Sequence, residues 1–206
     1  MYKLYDFLPS GNGYKVRLLL TQLGIPFELV ELNILQGETR TEDFSRKNPN
    51  GKIPVLEIYP DKFIAESNAI LYYLSQDTPY FSGDRYEQAQ IMQWLCFEQY
   101  SHEPNIATPR FWITELKQAE KYQKEIQQKR QLGYAALKVM EQHLQNHIFF
   151  VADRYTIADI ALYAYTHVAP EGGFDLSSFP KIQAWLERVV TQPNYITIKD
   201  KCDRSS

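Results

Sequence analysis

The chain has 206 residues, of which 44% are hydrophobic and 23% charged, a composition typical of a soluble globular protein with one or two domains. Its net charge of −3 provides no basic surface of the kind that a phosphate backbone selects, so nucleic acid is not an expected partner. No apolar run approaches the length of a membrane span, and the N-terminal segment is not typical of a signal peptide. We therefore expect a cytoplasmic protein with no membrane partner.

The two cysteines, Cys96 and Cys202, are far apart and fit neither a metal-binding nor a redox spacing. We expect no disulfide framework and no metal site from them. Cys96 lies within the helical run IMQWLCFEQY, which predicts a small buried side chain in the core.

Strand and helix patterns alternate in the first 76 residues. An aromatic strand at 2–7 is followed by a break at LPSGNG, and then by a helix that begins near Tyr14 and that Gly24 closes. The strand PFELVELN completes a βαβ unit. A weakly helical segment precedes the strands IPVLEIY and KFIA, which are joined by a turn at Pro60–Asp61, and the helix SNAILYYLSQ. The predicted order is β-α-β-α-β-β-α.

The stretch DTPYFSGD is rich in turn-forming residues and separates this region from one in which only helical periodicity occurs. Helices are predicted at roughly 85–118, 120–147, 156–168 and 180–192. The predicted domains are therefore 1–77, which is α/β, and 84–206, which is all α. In YTIADIALYAY, Thr156 and Asp159 have the spacing of a capping box, so we predict a structural role for Asp159.

The stretch NPNGKIPVL, residues 48–56, places Pro54 in what otherwise has the pattern of a buried strand. A proline within a strand removes a hydrogen-bond donor from the sheet, so it is usually found at an edge, a first position or a bulge. The other possibility is a cis peptide bond kept for a purpose. The periodicity of this stretch does not distinguish the two.

Glu66 and Ser67 occupy the start of the last helix of the first domain. A helix N-terminus carries unpaired amides and a partial positive charge, so a carboxylate is favoured there, and Ser67 adds a hydroxyl donor. Glu66 can accept a hydrogen bond from an ammonium group. The pair therefore suits the head group of an amino acid, although capping of the helix is an alternative that is compatible with ligand binding.

Four motifs in order, NPNGKIPVL, IAESNAILYYL, YTIADIAL and FPKIQAWLERV, carry a resemblance to the cytosolic glutathione transferases over essentially the whole chain. The resemblance is to the serine-type enzymes, with a bacterial or theta-like subclass only loosely indicated. It implies a thioredoxin-like N-terminal domain, an all-helical C-terminal domain and a homodimer.

The resemblance also implies how glutathione is held. Pro54 is cis in the family, and the residue that precedes it, here Ile53, pairs its backbone with the cysteinyl unit as an added strand would. Glu66 and Ser67 would hold the γ-glutamyl end.

The glycyl carboxylate of glutathione needs a cation, and Arg40 and Lys52 are the candidates. Arg40 lies four residues before Phe44, a spacing that matches a basic residue in plant and bacterial relatives, and a guanidinium could pair with the carboxylate through two hydrogen bonds. The alternative for both residues is a solvated surface charge.

The chemistry of the family requires a thiolate at neutral pH, whereas a free thiol titrates at about pH 8.5. Ser10 lies six residues before Val16, the offset of the catalytic serine or cysteine in the family, and is predicted to donate a hydrogen bond to the thiolate. Gly11 departs from the family pattern, in which proline is frequent after the serine. A backbone amide of the glycine-containing loop, Asn12 or Tyr5 therefore stay open as activating groups, as does helix capping alone by Ser10.

The expected reaction is attack of the glutathione thiolate on a small hydrophobic electrophile, as in detoxification. The alternatives are a glutathione-dependent peroxidase or isomerase, and a non-catalytic binding protein of the same fold. No cysteine occupies position 10 or 13, which disfavours thiol–disulfide exchange through a mixed disulfide with the protein. Candidates for the electrophile pocket lie in a segment where Pro104 and Pro109 are expected to interrupt the first long helix: Tyr100, His102, Arg110, Phe111 and Trp112.

Overall fold

The computed structural model describes residues 1–201 of the chain, so Cys202 lies outside the described residues. Contacts between residues divide the chain into two units. One consists of Met1–Gln76 together with the segment that begins at Pro193, and the other is Asp77–Gln192.

The segment after Pro193 belongs with the first unit, whereas the predicted division placed it with the second. The reason is that two side chains of the first helix bind its carbonyl groups. The Tyr14 hydroxyl donates to Ile196 O over 2.7 Å, and Arg17 Nη1 donates to Ile198 O over 3.1 Å and to Asp200 O over 2.6 Å. These hydrogen bonds join residues far apart in the chain, which no local pattern reveals.

The first unit has the predicted order of elements. The strands are β1 (Tyr2–Asp6), β2 (Phe27–Glu31), β3 (Val55–Tyr59) and β4 (Lys62–Ala65), and the helices are α1 (Gly11–Gln22), α2 (Glu42–Lys47) and α3 (Ser67–Ser75). Short 3-10 turns at Ile34–Gln36 and Glu38–Arg40 precede α2. The sheet order is β2-β1-β3-β4, with β1 parallel to β2 and antiparallel to β3, and β3 antiparallel to β4. This is the thioredoxin-like arrangement that was expected.

Helix α1 begins at Gly11, three residues before the predicted start. The predicted glycine-containing loop is therefore wrong, because both Gly11 and Gly13 are helical. Gly13 is required by packing rather than by a turn: a Cβ atom there would lie 1.6 Å from Oδ1 of Asp6. At the other end, Gly24 has a φ of +66° directly after the capping residue Leu23, as its predicted role requires.

Strand β3 begins at Val55, so Pro54 stands just before the strand and not within it. The hairpin from β3 to β4 turns at Pro60 and Asp61, as predicted. Asp61 has a φ of +64°, a conformation that short polar residues tolerate better than most in such turns.

The second unit is all helical, as predicted. Its helices are α4 (Arg85–Phe97), α5 (Glu103–Arg110), α6 (Gln123–Leu144), α7 (Ile157–Thr166) and α8 (Pro180–Val190). Within the described residues, none of the helices of either unit combines the length and the apolar character needed to cross a membrane.

The expected interruption of the first long helix by two prolines is wrong. Helix α4 runs into a π-helical turn at Glu98–His102, then α5, and then a second π-helical turn at Phe111–Glu115. Pro104 lies in the first turn of α5 and Pro109 lies just before the second π-helical turn. Proline lacks a donor and crowds the preceding turn, and a local π-helical turn lets the chain continue where the regular pattern of hydrogen bonds is broken.

Two further predictions for this unit have opposite outcomes. The capping box is confirmed, because Thr156 accepts from the first turn of α7 while Asp159 accepts from the Thr156 amide. The predicted core position of Cys96 is wrong, because its side chain is exposed. Its neighbours Trp94 and Leu95 take the buried face of α4 instead.

Candidate functional site

One row of paired residues crosses the sheet and marks the end at which the candidate site lies. Val55 of β3 pairs with Tyr5 of β1 on one side and with Ala65 of β4 on the other. Antiparallel pairing therefore brings together the segment before β3 and the segments after β1 and β4. These segments carry the predicted site residues Ile53 and Pro54, Ser10, and Glu66 and Ser67.

The peptide bond between Ile53 and Pro54 is cis, which confirms the isomer that the family resemblance implied. Neither the N–H nor the C=O of Ile53 makes a hydrogen bond within residues 1–201. The preceding loop is held by the buried side chain of Asn48, whose Nδ2 donates to Lys52 O over 2.8 Å and whose Oδ1 accepts from Asn50 N over 3.1 Å. A backbone that has both groups available at the end of a strand can pair with an extended peptide.

Arg40 and Lys52 are both exposed, and both are associated with this loop. Arg40 Nη1 donates to Asn50 O over 3.2 Å. Its guanidinium also lies against Gly51, where the φ is +63° and an added Cβ would be 2.5 Å from Nη1. The loop that ends at Ile53 thus has one cation lying against it and another on it.

Glu66 stands at the N-cap position of α3 but makes no capping hydrogen bond, so the capping alternative is wrong for this residue. Its carboxylate is exposed, and its φ of +67° lies in the left-handed region. That region is uncommon for residues other than glycine, and such residues cluster at functional sites. The start of α3 therefore has an exposed carboxylate beside amides that Glu66 does not cap.

Ser67 is buried at the first position of α3, and its hydroxyl joins two helices. Ser67 Oγ donates to Oδ1 of Asn12 over 3.2 Å and accepts from Nζ of Lys15 over 3.2 Å. Lys15 Nζ also donates to Oδ1 of Asn68 over 3.3 Å. Lys15 is not among the residues predicted for the site; the available signal was a lysine within the apolar run of α1.

Ser10 is the N-cap residue of α1, and its Oγ accepts from the Gly13 amide over 3.4 Å. Ser10 therefore caps α1. Among residues 1–201 this hydroxyl has no second hydrogen-bond partner, so its proton is available to an acceptor. The first turn of α1 contains no acidic residue, and the positive end of the helix dipole favours an anion there.

Tyr5 is engaged elsewhere. Its hydroxyl donates to Glu57 over 2.7 Å, and its ring packs edge-on against Phe44 of α2 at 6.4 Å between centroids. Burial and the Glu57 carboxylate raise the pKa of Tyr5. Successive side chains of a strand point to opposite faces, and the next residue, Asp6, contacts α1. Tyr5 thus lies on the opposite face of the sheet from α1, which argues against it as the activating group.

A buried ion pair supports the chain between β1 and Ser10. Asp6 and Arg17 have no exposed side-chain surface, and Arg17 Nε lies 3.0 Å from Asp6 Oδ2. Burial raises the pKa of Asp6 to about 6, and the charge of Arg17 opposes that rise. Asp6 also accepts from the Phe7 amide, and Arg17 Nη2 donates to Leu8 O over 2.7 Å. The pair therefore holds the backbone that leads to Ser10.

The pocket candidates belong to the second unit and have differing environments. His102 is fully buried and lies 2.8 Å from Thr166 Oγ1, so the side chain belongs to the core of that unit. Arg110 forms a salt bridge of 2.7 Å with Glu171. Tyr100 is exposed. Of these residues, none has a contact that identifies an electrophile.

Comparisons with known proteins match both units. Residues 1–76 match the family model of the glutathione S-transferase N-terminal domain, and residues 88–193 match that of the C-terminal domain. The chain is similar to the crystal structure of a glutathione S-transferase from Pseudomonas fluorescens, with 48% identity, a TM-score of 0.95, and coverage of 97% of this chain and 99% of that one.

Two other proteins similar to this chain are not named glutathione S-transferases. The disulfide-bond oxidoreductase YfcG of Escherichia coli is 29% identical over 94% of this chain and 92% of its own. The structure of Ure2p in complex with glutathione is 25% identical, has a TM-score of 0.84, and covers 94% of this chain and 95% of its own.

Proposed function

Because the chain belongs to the glutathione S-transferase family, we propose that it binds reduced glutathione and transfers the thiolate sulfur to small hydrophobic electrophiles. The observation that carries this proposal is the position and hydrogen bonding of the Ser10 hydroxyl. This hydroxyl caps α1 as an acceptor and has its proton available at the positive end of that helix. A hydroxyl donor at that place stabilises a thiolate more than a thiol and so lowers the thiol pKa.

The remaining groups at this end of the sheet suit the other parts of glutathione. The available N–H and C=O groups of Ile53 would pair with the cysteinyl unit. At α3, the exposed carboxylate of Glu66 would accept from the γ-glutamyl ammonium, and Ser67 with the first amides of the helix would bind the γ-glutamyl carboxylate. The complex of Ure2p with glutathione supports this assignment through the family.

The glycyl carboxylate is assigned to Arg40 and Lys52. Arg40 already lies against the loop that ends at Ile53, and a guanidinium can bind a carboxylate through two parallel hydrogen bonds. Lys52 is the residue directly before Ile53 and would contribute a single flexible charge.

In the proposed reaction, the thiol of bound glutathione loses its proton to solvent and the thiolate accepts a hydrogen bond from Ser10. The sulfur then forms a bond to an electrophilic carbon, and either a leaving group departs or the electrons move onto an activating group such as a carbonyl. Holding the two reactants together and removing water from the thiolate supply the acceleration. A cytoplasmic homodimer that acts in detoxification is the setting expected from the family.

A second candidate is reduction of disulfides by glutathione, because one relative is named a disulfide-bond oxidoreductase. The bound thiolate would attack one sulfur of a disulfide, forming a mixed disulfide with glutathione and releasing the other sulfur as a thiolate. This step needs no cysteine of the protein, which accords with the absence of cysteine from positions 10 and 13.

The test is an ultraviolet titration of thiolate absorbance for bound glutathione, in the wild type, in Ser10→Ala and in the control Ser45→Ala, an exposed serine of the same unit. We expect the wild type and the control to lower the thiol pKa well below that of free glutathione, and Ser10→Ala to lose about one to two pH units of that shift.

Binding without any shift in the wild type would instead support a non-catalytic binding protein. A low pKa retained in Ser10→Ala would move the activating role to Asn12 or to a backbone amide of α1. A panel containing an activated halide, an isothiocyanate, an enal, a hydroperoxide and a small disulfide then separates transfer, peroxidase and disulfide-reducing activities.

A further inference from the structure

A lysine with no exposed surface lies in the second turn of α1 and reaches the start of α3. Lys15 Nζ donates to Ser67 Oγ over 3.2 Å and to Asn68 Oδ1 over 3.3 Å. Ser67 and Asn68 are the first two residues of α3. A buried ammonium group is costly to desolvate unless it is well hydrogen-bonded, so a lysine in this position calls for an explanation beyond packing.

The hydrogen-bond capacity of the Ser67 hydroxyl determines what Lys15 does to it. A serine hydroxyl has one proton to donate, and its oxygen can accept hydrogen bonds. Lys15 can only donate, so it occupies the oxygen of Ser67 and leaves the Ser67 proton for an acceptor. In this structure the acceptor is Oδ1 of Asn12, at 3.2 Å. The hydrogen bond from Lys15 therefore makes Ser67 a donor toward its other partner.

The positive charge of Lys15 also favours a carboxylate as the acceptor of the Ser67 proton. Ser67 and Asn68, its two acceptors on α3, are neutral side chains. A ligand carboxylate that accepted the Ser67 proton would place an opposite charge one hydroxyl group away from Nζ. Because both Lys15 and Ser67 are buried, salt would screen that attraction much less than it screens a contact with an exposed cation.

We propose that Lys15 is a positioning residue for the γ-glutamyl carboxylate of glutathione, which it serves by directing the Ser67 proton toward the ligand and by placing a positive charge behind it. The inference rests on the proposed function, because it requires that glutathione binds at the start of α3. On binding, the Ser67 proton turns from Asn12 to the carboxylate, while the hydrogen bond from Lys15 stays in place.

The experiment measures, by calorimetry, the affinity of two ligands for the wild type and for Lys15→Met. The ligands are glutathione and 4-aminobutyryl-cysteinyl-glycine, which is glutathione without the γ-glutamyl α-carboxylate. We expect Lys15→Met to weaken glutathione binding by about tenfold or more and to change binding of the analogue less than about twofold. The control Lys62→Met, at an exposed lysine of β4, should leave both affinities unchanged.

If Lys15 had a purely structural role, Lys15→Met would weaken the binding of both ligands by the same factor. That result would overturn the inference. Failure of the wild type to bind glutathione would refute the proposed function instead. Binding of glutathione and of the analogue with equal affinity by the wild type would refute the inference and the assignment of the γ-glutamyl carboxylate to Ser67, but not the proposed transfer reaction.

If Lys15→Met does not fold, the wild type alone still decides the question. The ratio of the two affinities is measured in about 20 mM and about 500 mM salt, which span strong and weak screening. If the carboxylate interacts with a buried charge, the ratio of the two affinities should change by less than about threefold between the two salt concentrations. If the preference for glutathione disappears at high salt, the carboxylate is bound by exposed cations such as Lys52, and the inference is overturned.

Discussion

Among residues 1–201, each unit buries one aspartate completely, and the two aspartates are stabilised in different ways. Burial raises the pKa of both Asp6 and Asp159 to about 6. Asp6 has a cationic partner, Arg17, at 3.0 Å. Asp159 instead accepts from neutral donors: the Trp185 indole over 2.9 Å, the Thr156 amide over 3.0 Å and the Phe150 amide over 3.2 Å.

The difference shows what each carboxylate is responsible for. The pair formed by Asp6 and Arg17 can be neutralised by changing both partners together, since each balances the other. The donors around Asp159 include backbone amides that cannot be substituted away, so loss of its carboxylate leaves them unsatisfied. The first arrangement orders the segments next to the candidate site, and the second joins the start of α7 to α8.

The largest effect is expected for Asp159→Ala. It removes the acceptor of the capping box and leaves the donors of Trp185 and Phe150 without a partner, so we expect a loss of about 5 kcal/mol in the free energy of unfolding. Urea denaturation measures it. The control is Asp84→Ala, which removes an exposed cap of α4 and should cost about 1 kcal/mol. Equal losses in the two variants would show that Asp159 is no more than a cap.

A somewhat smaller loss, about 4 kcal/mol, is expected for Arg17→Met, because it leaves the buried Asp6 carboxylate without its cation. The same variant removes donors from the carbonyls of Ile198 and Asp200, so limited proteolysis should cut more readily after Pro193. The double variant Asp6→Asn with Arg17→Met should be more stable than Arg17→Met alone. A double variant that is less stable than the single one would contradict the charge-pair interpretation.

The pH dependence distinguishes the two carboxyls more finely. Because the folded pKa of Asp159 lies near 6, above its unfolded value, the stability that this group contributes is complete below about pH 4 and is lost as the pH rises through 6. The loss is about 3 kcal/mol at most. It is measured as the difference in unfolding free energy between the wild type and Asp159→Asn from pH 4 to pH 7.

The comparison with a variant is needed because His167 changes the stability of the wild type with pH in the opposite direction. Burial lowers its pKa to about 4, so its contribution is present above about pH 6.5 and is lost as the pH falls through 4. The difference in unfolding free energy between the wild type and Asp6→Asn should change over the same pH range as the difference for Asp159→Asn, because the pKa of Asp6 is also raised to about 6. A flat Asp6 profile beside a sloping Asp159 profile would show that the charge of Arg17 offsets the cost of burial.

Local patterns in the sequence were sufficient for the element order and for some contacts within an element. The predicted strands and helices of the first unit are observed because their periodicities and turn residues act over a few positions. The capping box of Thr156 and Asp159 was predictable because its partners lie three residues apart. The cis bond before Pro54 came from the family motif and not from periodicity.

The errors concern features that periodicity and turn residues do not decide, namely the packing of a side chain and the accommodation of proline within a helical segment. Gly13 suggested a loop, but it lies within α1, and the position requires glycine because the Asp6 carboxylate takes the space of a side chain. Pro104 and Pro109 suggested a break, but π-helical turns let the chain continue. Cys96 suggested the core, although neighbouring residues of α4 occupy that face.

By itself, then, the sequence determined the order of the elements and the division into an α/β and a helical region, and it supplied the candidate side chains for glutathione binding, since these depend on short-range periodicity and on motifs. Only the tertiary structure decided that Ser67 shares a hydrogen-bond network with Asn12 and Lys15, and that Tyr5 faces away from α1. The physical reason is that strand pairing and burial, which join residues about 50 positions apart, set hydrogen-bond partners and the cost of a charge.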